Sequence, residues 1–387
     1  MAALLLPRIR NGTVTSQSVP VCAADSGKDC GRRTRLLYRT TIRSAATAAA
    51  IWATFNACAV AQTPGCGNAR HPGTAGRTVR YNRTFEGMVL THTLTLPQSY
   101  NTSVPSAMLL FFHGWGADAT SCGALCDKDA PEAGFITLSM QGIGTTNGNS
   151  VPSWNGSGSV ASPGSRGATC EVNATNNCYD DCGSLCTDNC WWTTCLDSVG
   201  EVVDALDALE AELCIDTAMI WATGCSNGGI FTYQLAVDSR TAPRLAGIAP
   251  VVGLPHIGFL GAPAANTRIS YISSLGAFDT TVPPFSNTNE SDRSLDTRSQ
   301  PGGWYYQTGY STSESIAKVK KCTGPRERTA DWDISAFPEL NCTRVPGCAA
   351  GDVVECVGPF GHTCDLPSQN APLLAFARAH PLTRSAT

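Results

Sequence analysis

Short apolar runs, each bounded by turn-forming residues, recur along most of the chain. Residues 89–96 (VLTHTLTL) alternate apolar and polar side chains, the period of a strand. Residues 107–112 (AMLLFF), 135–140 (FITLSM), 218–223 (AMIWAT), 248–252 (IAPVV), 269–275 (ISYISSL) and 353–357 (VVECV) are short and largely apolar throughout. Such runs suit a sheet covered on both faces. Between them, residues 197–213 carry a helical period. Val199, Val202, Val203, Leu206, Leu209 and Leu213 share one face, and Glu201, Asp204, Asp207, Glu210 and Glu212 fall on positions expected to be exposed. A second helix is predicted over residues 227–237. The alternation predicts an α/β fold: a mainly parallel sheet with helices on both faces. Two stretches break the rhythm. Residues 142–195 are Gly/Ser/Asn-rich and then dense in cysteine. Residues 285–301 are polar and read as a surface loop.

Composition narrows the class. Of 387 residues, 42% are hydrophobic and only 15% charged, the reverse of a disordered chain. The formal net charge of −4 offers no basic footprint for nucleic acid. Residues 1–61 nevertheless hold eight Lys/Arg against two Asp/Glu, whereas the remainder is acidic. Arg39 and Arg43 precede an uncharged, Ala-rich stretch (residues 44–60) that ends in Ala59-Val60-Ala61, an A-x-A cleavage pattern. We therefore expect a signal-like N-terminal extension over residues 1–61, a catalytic domain over 62–387, and a secreted protein with no stable membrane span.

Cysteine usage points the same way. Of 19 cysteines, Cys22, Cys30 and Cys58 precede the expected cut, leaving an even, dense set that reads as disulfides. Cys178, Cys182, Cys186 and Cys190 stand four apart and also admit a zinc reading. No histidine lies among them, and an oxidising compartment favours disulfides. Sequons at Asn82, Asn101, Asn155, Asn173, Asn289 and Asn341 support the secretory reading.

The sharpest chemical signal is Gly224-Cys225-Ser226-Asn227-Gly228, a G-x-S-x-G between a strand-like and a helix-like segment. That context puts a serine on a tight turn with its hydroxyl exposed at the carboxyl end of a sheet. A serine nucleophile needs a base, and the base an orienting carboxylate, in the order Ser, acid, His. Three histidines follow Ser226. His380 sits in a tail beside Pro381, and His256 comes too early to follow a post-strand acid. His362 lies in a Gly-rich loop after the last strand (GPFGH) and is the candidate base. Asp279, just beyond the strand of residues 269–275, is the candidate acid. Asp292 and Asp296 lie farther into the polar loop and are expected to be solvated. The oxyanion needs two main-chain N–H donors: Asn227 supplies one, and Trp115 in His113-Gly114-Trp115-Gly116 the other.

The blocks LLFFHGWG, ATGCSNGG, LGAFDTTVP and VVECVGPFGHT resemble the secreted esterases grouped with polyhydroxybutyrate depolymerases and feruloyl esterases. The resemblance implies an α/β-hydrolase that cleaves polymeric esters with Ser226, Asp279 and His362 and no metal or organic cofactor. It departs from the family at Leu275, where a His is frequent, and at Cys364, where a Trp is frequent. Some members of the wider feruloyl esterase and tannase group join the cysteines beside the nucleophile and the base. The resemblance thus offers Cys225–Cys364 as a disulfide; the alternative is that Cys225 is a buried thiol or pairs elsewhere, and a Cys364–Cys356 bond would overturn the pairing. A feruloyl- or acetylxylan-type esterase on cell-wall polysaccharide is the leading expectation, with Trp154, Trp191, Trp192 and Trp304 as candidate stacking residues. A polyhydroxyalkanoate depolymerase or general carboxylesterase is the alternative. A non-catalytic secreted binding protein is a further one.

Overall fold

The computed structural model describes residues 62–68, 72–174, 177–186, 189–260, 268–287 and 295–382. The signal-like segment, Asn289 and Asp292 lie outside the described residues.

Chain order begins with β1 (Thr78–Phe85), β2 (Met88–Thr95), β3 (Ser106–Phe112) and β4 (Phe135–Met140). A hairpin of β5 (Ile143–Thr146) and β6 (Asn149–Ser153) opens the cysteine-rich insertion. Then come α1 (Ser198–Glu212), β7 (Ile215–Cys225), α2 (Asn227–Val237), β8 (Gly247–Val251) and β9 (Ser270–Gly276). A second hairpin, β10 (Asp296–Arg298) and β11 (Tyr305–Gln307), precedes α3 (Gly309–Val319). The last elements are β12 (Glu327–Arg328), β13 (Asn341–Arg344), β14 (Val353–Gly358) and α4 (Pro367–Ala379).

Ten strands form one sheet in the order β1-β2-β4-β3-β7-β8-β9-β14-β13-β12. The central six, β4 to β14, run parallel, and antiparallel strands close both edges. Side chains alternate between two cores, as the period-2 geometry of a strand demands. On β3, Met108, Leu110 and Phe112 enter the core shared with α1, α2 and α3. Leu109 and Phe111 enter the core shared with α4. Burying one such side chain fully stabilises the fold by about 1.5–3 kcal/mol. Helices therefore cover both faces, and the order and direction of the strands are those of the α/β-hydrolase fold.

α1 starts where Asp197 accepts the Gly200 amide (3.0 Å) and buries Val199, Val202, Leu206 and Leu209. One expectation fails on this helix. Glu201 is only 1% exposed, because the buried arc widens to include the Glu201 and Ala205 row. Burial pushes its carboxyl well above the usual range, followed by the charge of Asp204. The polar stretch 285–301 also differs from a plain surface loop. β10 pairs with β11, and Asp296 is buried against Arg166, its oxygens 2.6 and 2.9 Å from the guanidinium.

Sixteen cysteines form eight disulfides: Cys66–Cys214, Cys122–Cys126, Cys170–Cys190, Cys178–Cys186, Cys182–Cys195, Cys225–Cys364, Cys322–Cys348 and Cys342–Cys356. All four cysteines that admitted zinc are bonded to another sulfur. Three of the bonds staple the insertion internally. Backbone bonds stitch it to the β10–β11 hairpin, from Glu171 N–H to Gly303 O (2.9 Å) and from Tyr305 N–H to Thr169 O (2.7 Å). Among the described residues, no helix is long and apolar enough to cross a membrane.

Candidate active site

The turn from β7 into α2 requires small residues. A Cβ on Gly228 would lie 2.0 Å from Phe112 O, and one on Gly224 2.6 Å from the Gly228 carbonyl carbon. Ser226 itself takes φ 53° and ψ −116°, a conformation costing a non-glycine residue about 1–3 kcal/mol. Its amide donates to Val251 O (2.9 Å). Asn227 is buried and locks the first turn of α2. Its Oδ1 accepts the Trp154 amide (2.8 Å), and its Nδ2 donates to Trp154 O (3.1 Å). Trp154 in turn donates its indole N–H to His113 O (3.0 Å) and stacks on Phe231. Trp154 is therefore fully buried core, the commoner fate of a clustered aromatic, and is not available as a stacking surface.

β9 and β14 are parallel neighbours in register to Gly276↔Gly358, so the loops that leave their carboxyl ends meet. The Ala277 and Phe278 amides donate to Gly358 O (2.8 Å) and Phe360 O (3.0 Å). A Cβ on Gly276 would lie 2.4 Å from Gly361 O, so only glycine admits this approach. The consequence is a relay. His362 Nδ1 is 2.7 Å from Asp279 Oδ2, and His362 Nε2 is 2.8 Å from Ser226 Oγ. Asp279 is buried, and its second oxygen accepts the Thr281 (2.8 Å) and Val282 (2.9 Å) amides. The His362 side chain remains 25% exposed.

The turn after β3 lies across from the nucleophile, where a Cβ on Gly114 would be 3.6 Å from Ser226 Cβ. Two of its amides are occupied: Gly116 donates to Pro152 O (2.8 Å) and Ala117 to Gly114 O (3.1 Å). Among the described residues the Trp115 amide has no acceptor. The Asn227 amide sits at the first position of α2, where the helix supplies no acceptor either. The sequence named the same two amides as expected oxyanion donors.

The nucleophile and base loops are also joined covalently by Cys225–Cys364, while Cys356 bonds Cys342 on the neighbouring strand. Asp365 holds the base loop from its other end. It accepts the Ala124 (2.8 Å) and Leu125 (2.9 Å) amides and one Asn370 N–H (2.9 Å).

The other described histidines lie outside this hydrogen-bonded set. His113 accepts the Gly142 amide at Nε2 (2.9 Å), its Nδ1 is 2.7 Å from Gly114 O, and burial pulls its pKa to about 4. His256 is buried and likewise held near 4 by desolvation. His380 is not a loose tail residue: it pairs with Asp352 (2.7 Å) and stacks on Phe376. Trp154, Trp192 and Asp365 support the site without any local sequence signal, since each acts on a partner far along the chain. Among the described residues no three His, Cys, Asp or Glu side chains cluster to hold a metal ion.

No family model and no curated protein matches this chain. Solved structures do. A thermostable esterase aligns at 14% identity and TM-score 0.39, covering 62% of this chain, which spans 52% of that one. An acetyl xylan esterase from Aspergillus awamori aligns at 12% identity and TM-score 0.44, covering 78% of this chain and 99% of that one. An S-formylglutathione hydrolase from Agrobacterium tumefaciens aligns at 13% and 0.35, covering 55% and 80%.

Proposed function

We propose that this protein is a secreted serine carboxylic-ester hydrolase acting by two-step acyl transfer. The observation that carries the reading is the relay Ser226–His362–Asp279, with the serine held on a strained turn beside two unoccupied amides. His362 Nε2 takes the Ser226 proton as Oγ attacks the ester carbonyl. Asp279 holds the Nδ1–H and stabilises the imidazolium that forms. The carbonyl oxygen, now negative, receives the Trp115 and Asn227 amides. The tetrahedral species collapses and His362 gives its proton to the leaving alcohol; a water deprotonated by His362 then attacks the acyl carbon, and His362 returns the proton to Ser226 Oγ as the acid leaves.

A feruloyl- or acetylxylan-type substrate is the preferred finer reading, on the strength of the aromatic side chains at the mouth. Trp115 is 43% and Phe278 70% exposed, each beside a residue of the site, and Trp192 is half-buried behind Trp115. Flat rings of this kind suit a sugar face or an aryl acyl group. A polyhydroxyalkanoate depolymerase is the second reading; these exposed faces would also lie against a polyester surface. Eight disulfides favour an oxidising, extracellular setting.

The test is hydrolysis of p-nitrophenyl acetate, p-nitrophenyl butyrate and methyl ferulate by the wild type and Ser226→Ala. Turnover by the wild type alone is expected, with methyl ferulate or acetate preferred. Equal inertness of both on every ester overturns the reading and moves the binding-protein alternative forward.

A further inference from the structure

Trp115 lies at the mouth of the site, yet its indole N–H is not left to solvent. It donates to the main-chain oxygen of Trp192 (3.0 Å), 77 residues further along in the cysteine-rich insertion. Trp192 is itself held on several sides. Its amide donates to Ser159 O (3.0 Å), and the disulfides Cys170–Cys190 and Cys182–Cys195 bracket its segment. Its indole N–H donates to His256 Nε2 (3.0 Å). His256 is fully buried beyond β8, and its Nδ1–H donates to Tyr305 O (2.9 Å). Its ring stacks on Tyr306 at 4.6 Å. Tyr306 is itself buried. A path of hydrogen bonds and one ring contact thus runs from the Trp115 turn, through the insertion, to the buried Tyr306.

We infer that Trp192 and His256 are positioning residues, forming a bridge that fixes the Trp115 turn and so the amide that receives the oxyanion. The inference rests on the ester-hydrolase reading and assigns the insertion a part in the chemistry beyond walling a cleft. Glycines flank Trp115 on both sides and leave its backbone free to turn. An oxyanion donor works only if it is in place before charge develops. A displacement of about 1 Å costs on the order of 100-fold in rate. Pinning the Trp115 side chain removes that freedom. His256 suits the far end of the bridge because one neutral imidazole accepts from the indole while donating to a carbonyl.

The test uses the full, disulfide-bonded chain. His256→Phe keeps a ring on Tyr306 but removes both hydrogen bonds, and His256→Gln returns an acceptor. The readouts are kcat and KM for p-nitrophenyl acetate, counted per site titrated with a fluorophosphonate. A third is the inhibition constant of phenylboronic acid, whose tetrahedral adduct imitates the oxyanion. For His256→Phe we expect kcat per titrated site to fall about 10- to 100-fold with KM within about twofold. Boronate binding should weaken by a similar factor, and His256→Gln should recover most of the loss. A merely structural role would lower the titratable fraction and leave kcat per site unchanged, and that result overturns the inference. If His256→Phe does not fold, Trp192→Phe removes the indole N–H, together with part of the ring, and leaves the Trp192 carbonyl that accepts from Trp115. It should shift kcat and boronate binding in the same direction, and unchanged values overturn the inference. A wild type inert on every ester would overturn the hydrolase reading itself, and this inference with it.

Discussion

Ser226 stands at φ 53° because three glycines beside it let β3, β7 and α2 approach within contact distance. Its hydroxyl meets a base whose tautomer is set from behind, since Asp279 is an acceptor facing His362 Nδ1. In Asp279→Asn the amide can present an N–H to that nitrogen, leaving the proton on Nε2 and Ser226 without a base. We expect kcat to fall about 10⁴-fold with KM little changed. Steady-state kinetics on p-nitrophenyl acetate checks this, and a loss under tenfold would remove Asp279 from the mechanism. Ser226, Asp279 and His362 could be named as candidates because each follows a strand that the apolar pattern marks, and the structure brings the three within hydrogen-bond distance. Glu201 was misread, since helical periodicity places a residue on a wheel without saying how wide the buried arc will be. Asp296 was misread because its partner, Arg166, is 130 residues away.

The elements of the site are parallel strands whose carboxyl ends release the functional loops side by side. β9 and β14 bring the Asp279 and His362 loops together, and β7 beside β8 delivers Ser226. Cys225–Cys364 then ties the nucleophile turn to the base loop across 139 residues. Closing so long a loop restricts the unfolded chain and is worth several kcal/mol, on the order of 4. Here it also limits how far His362 can drift from Ser226. The double variant Cys225→Ala/Cys364→Ala should lose roughly 2–4 kcal/mol in urea denaturation. Its kcat on p-nitrophenyl acetate should fall about tenfold or more, as loosened geometry requires. A double variant that keeps wild-type kcat would show that Asp365 and the β9–β14 contacts suffice to place the base. The strands of the central sheet were legible to within a few residues. β1, α3 and α4 were not singled out: β1 carries polar side chains on its exposed face, and α3 is rich in Ser and Thr.

Across the whole molecule, three buried histidines couple folding to acidity. Desolvation lowers His92, His113 and His256 from 6.5 to about 4 in the native state. Above pH 6.5 all are neutral whether folded or not, and their contribution is fully present. Between pH 6.5 and 4 the unfolded chain takes up protons that the native state refuses, so stability falls as pH falls. Below about 4 the native histidines protonate too, and this slope ends. Each contributes up to about 1.4 kcal/mol per pH unit within the window. Urea midpoints at pH 7.5, 5.5 and 4.5 should decline in that order, and His92→Gln should flatten the decline. His92 accepts the Gln141 amide (3.0 Å) and has no bond to Ser226, His362 or Asp279, so the variant tests folding rather than chemistry. A midpoint independent of pH over this range would refute the coupling.

By itself the sequence determined what local pattern can carry. The apolar runs define strands, the G-x-S-x-G defines the elbow, and the order of acid and base follows from where strands end. The tertiary structure decided everything that depends on residues distant in sequence. It chose eight pairings among sixteen cysteines, excluding the zinc reading by bonding every candidate ligand to sulfur. It made Trp154 core and left Trp192 beside the oxyanion turn, although both are tryptophans in one insertion. The physical reason is that strand and turn preferences act over a few residues. Burial, pairing and hydrogen bonding depend on which surfaces the sheet brings together, and no local pattern encodes that.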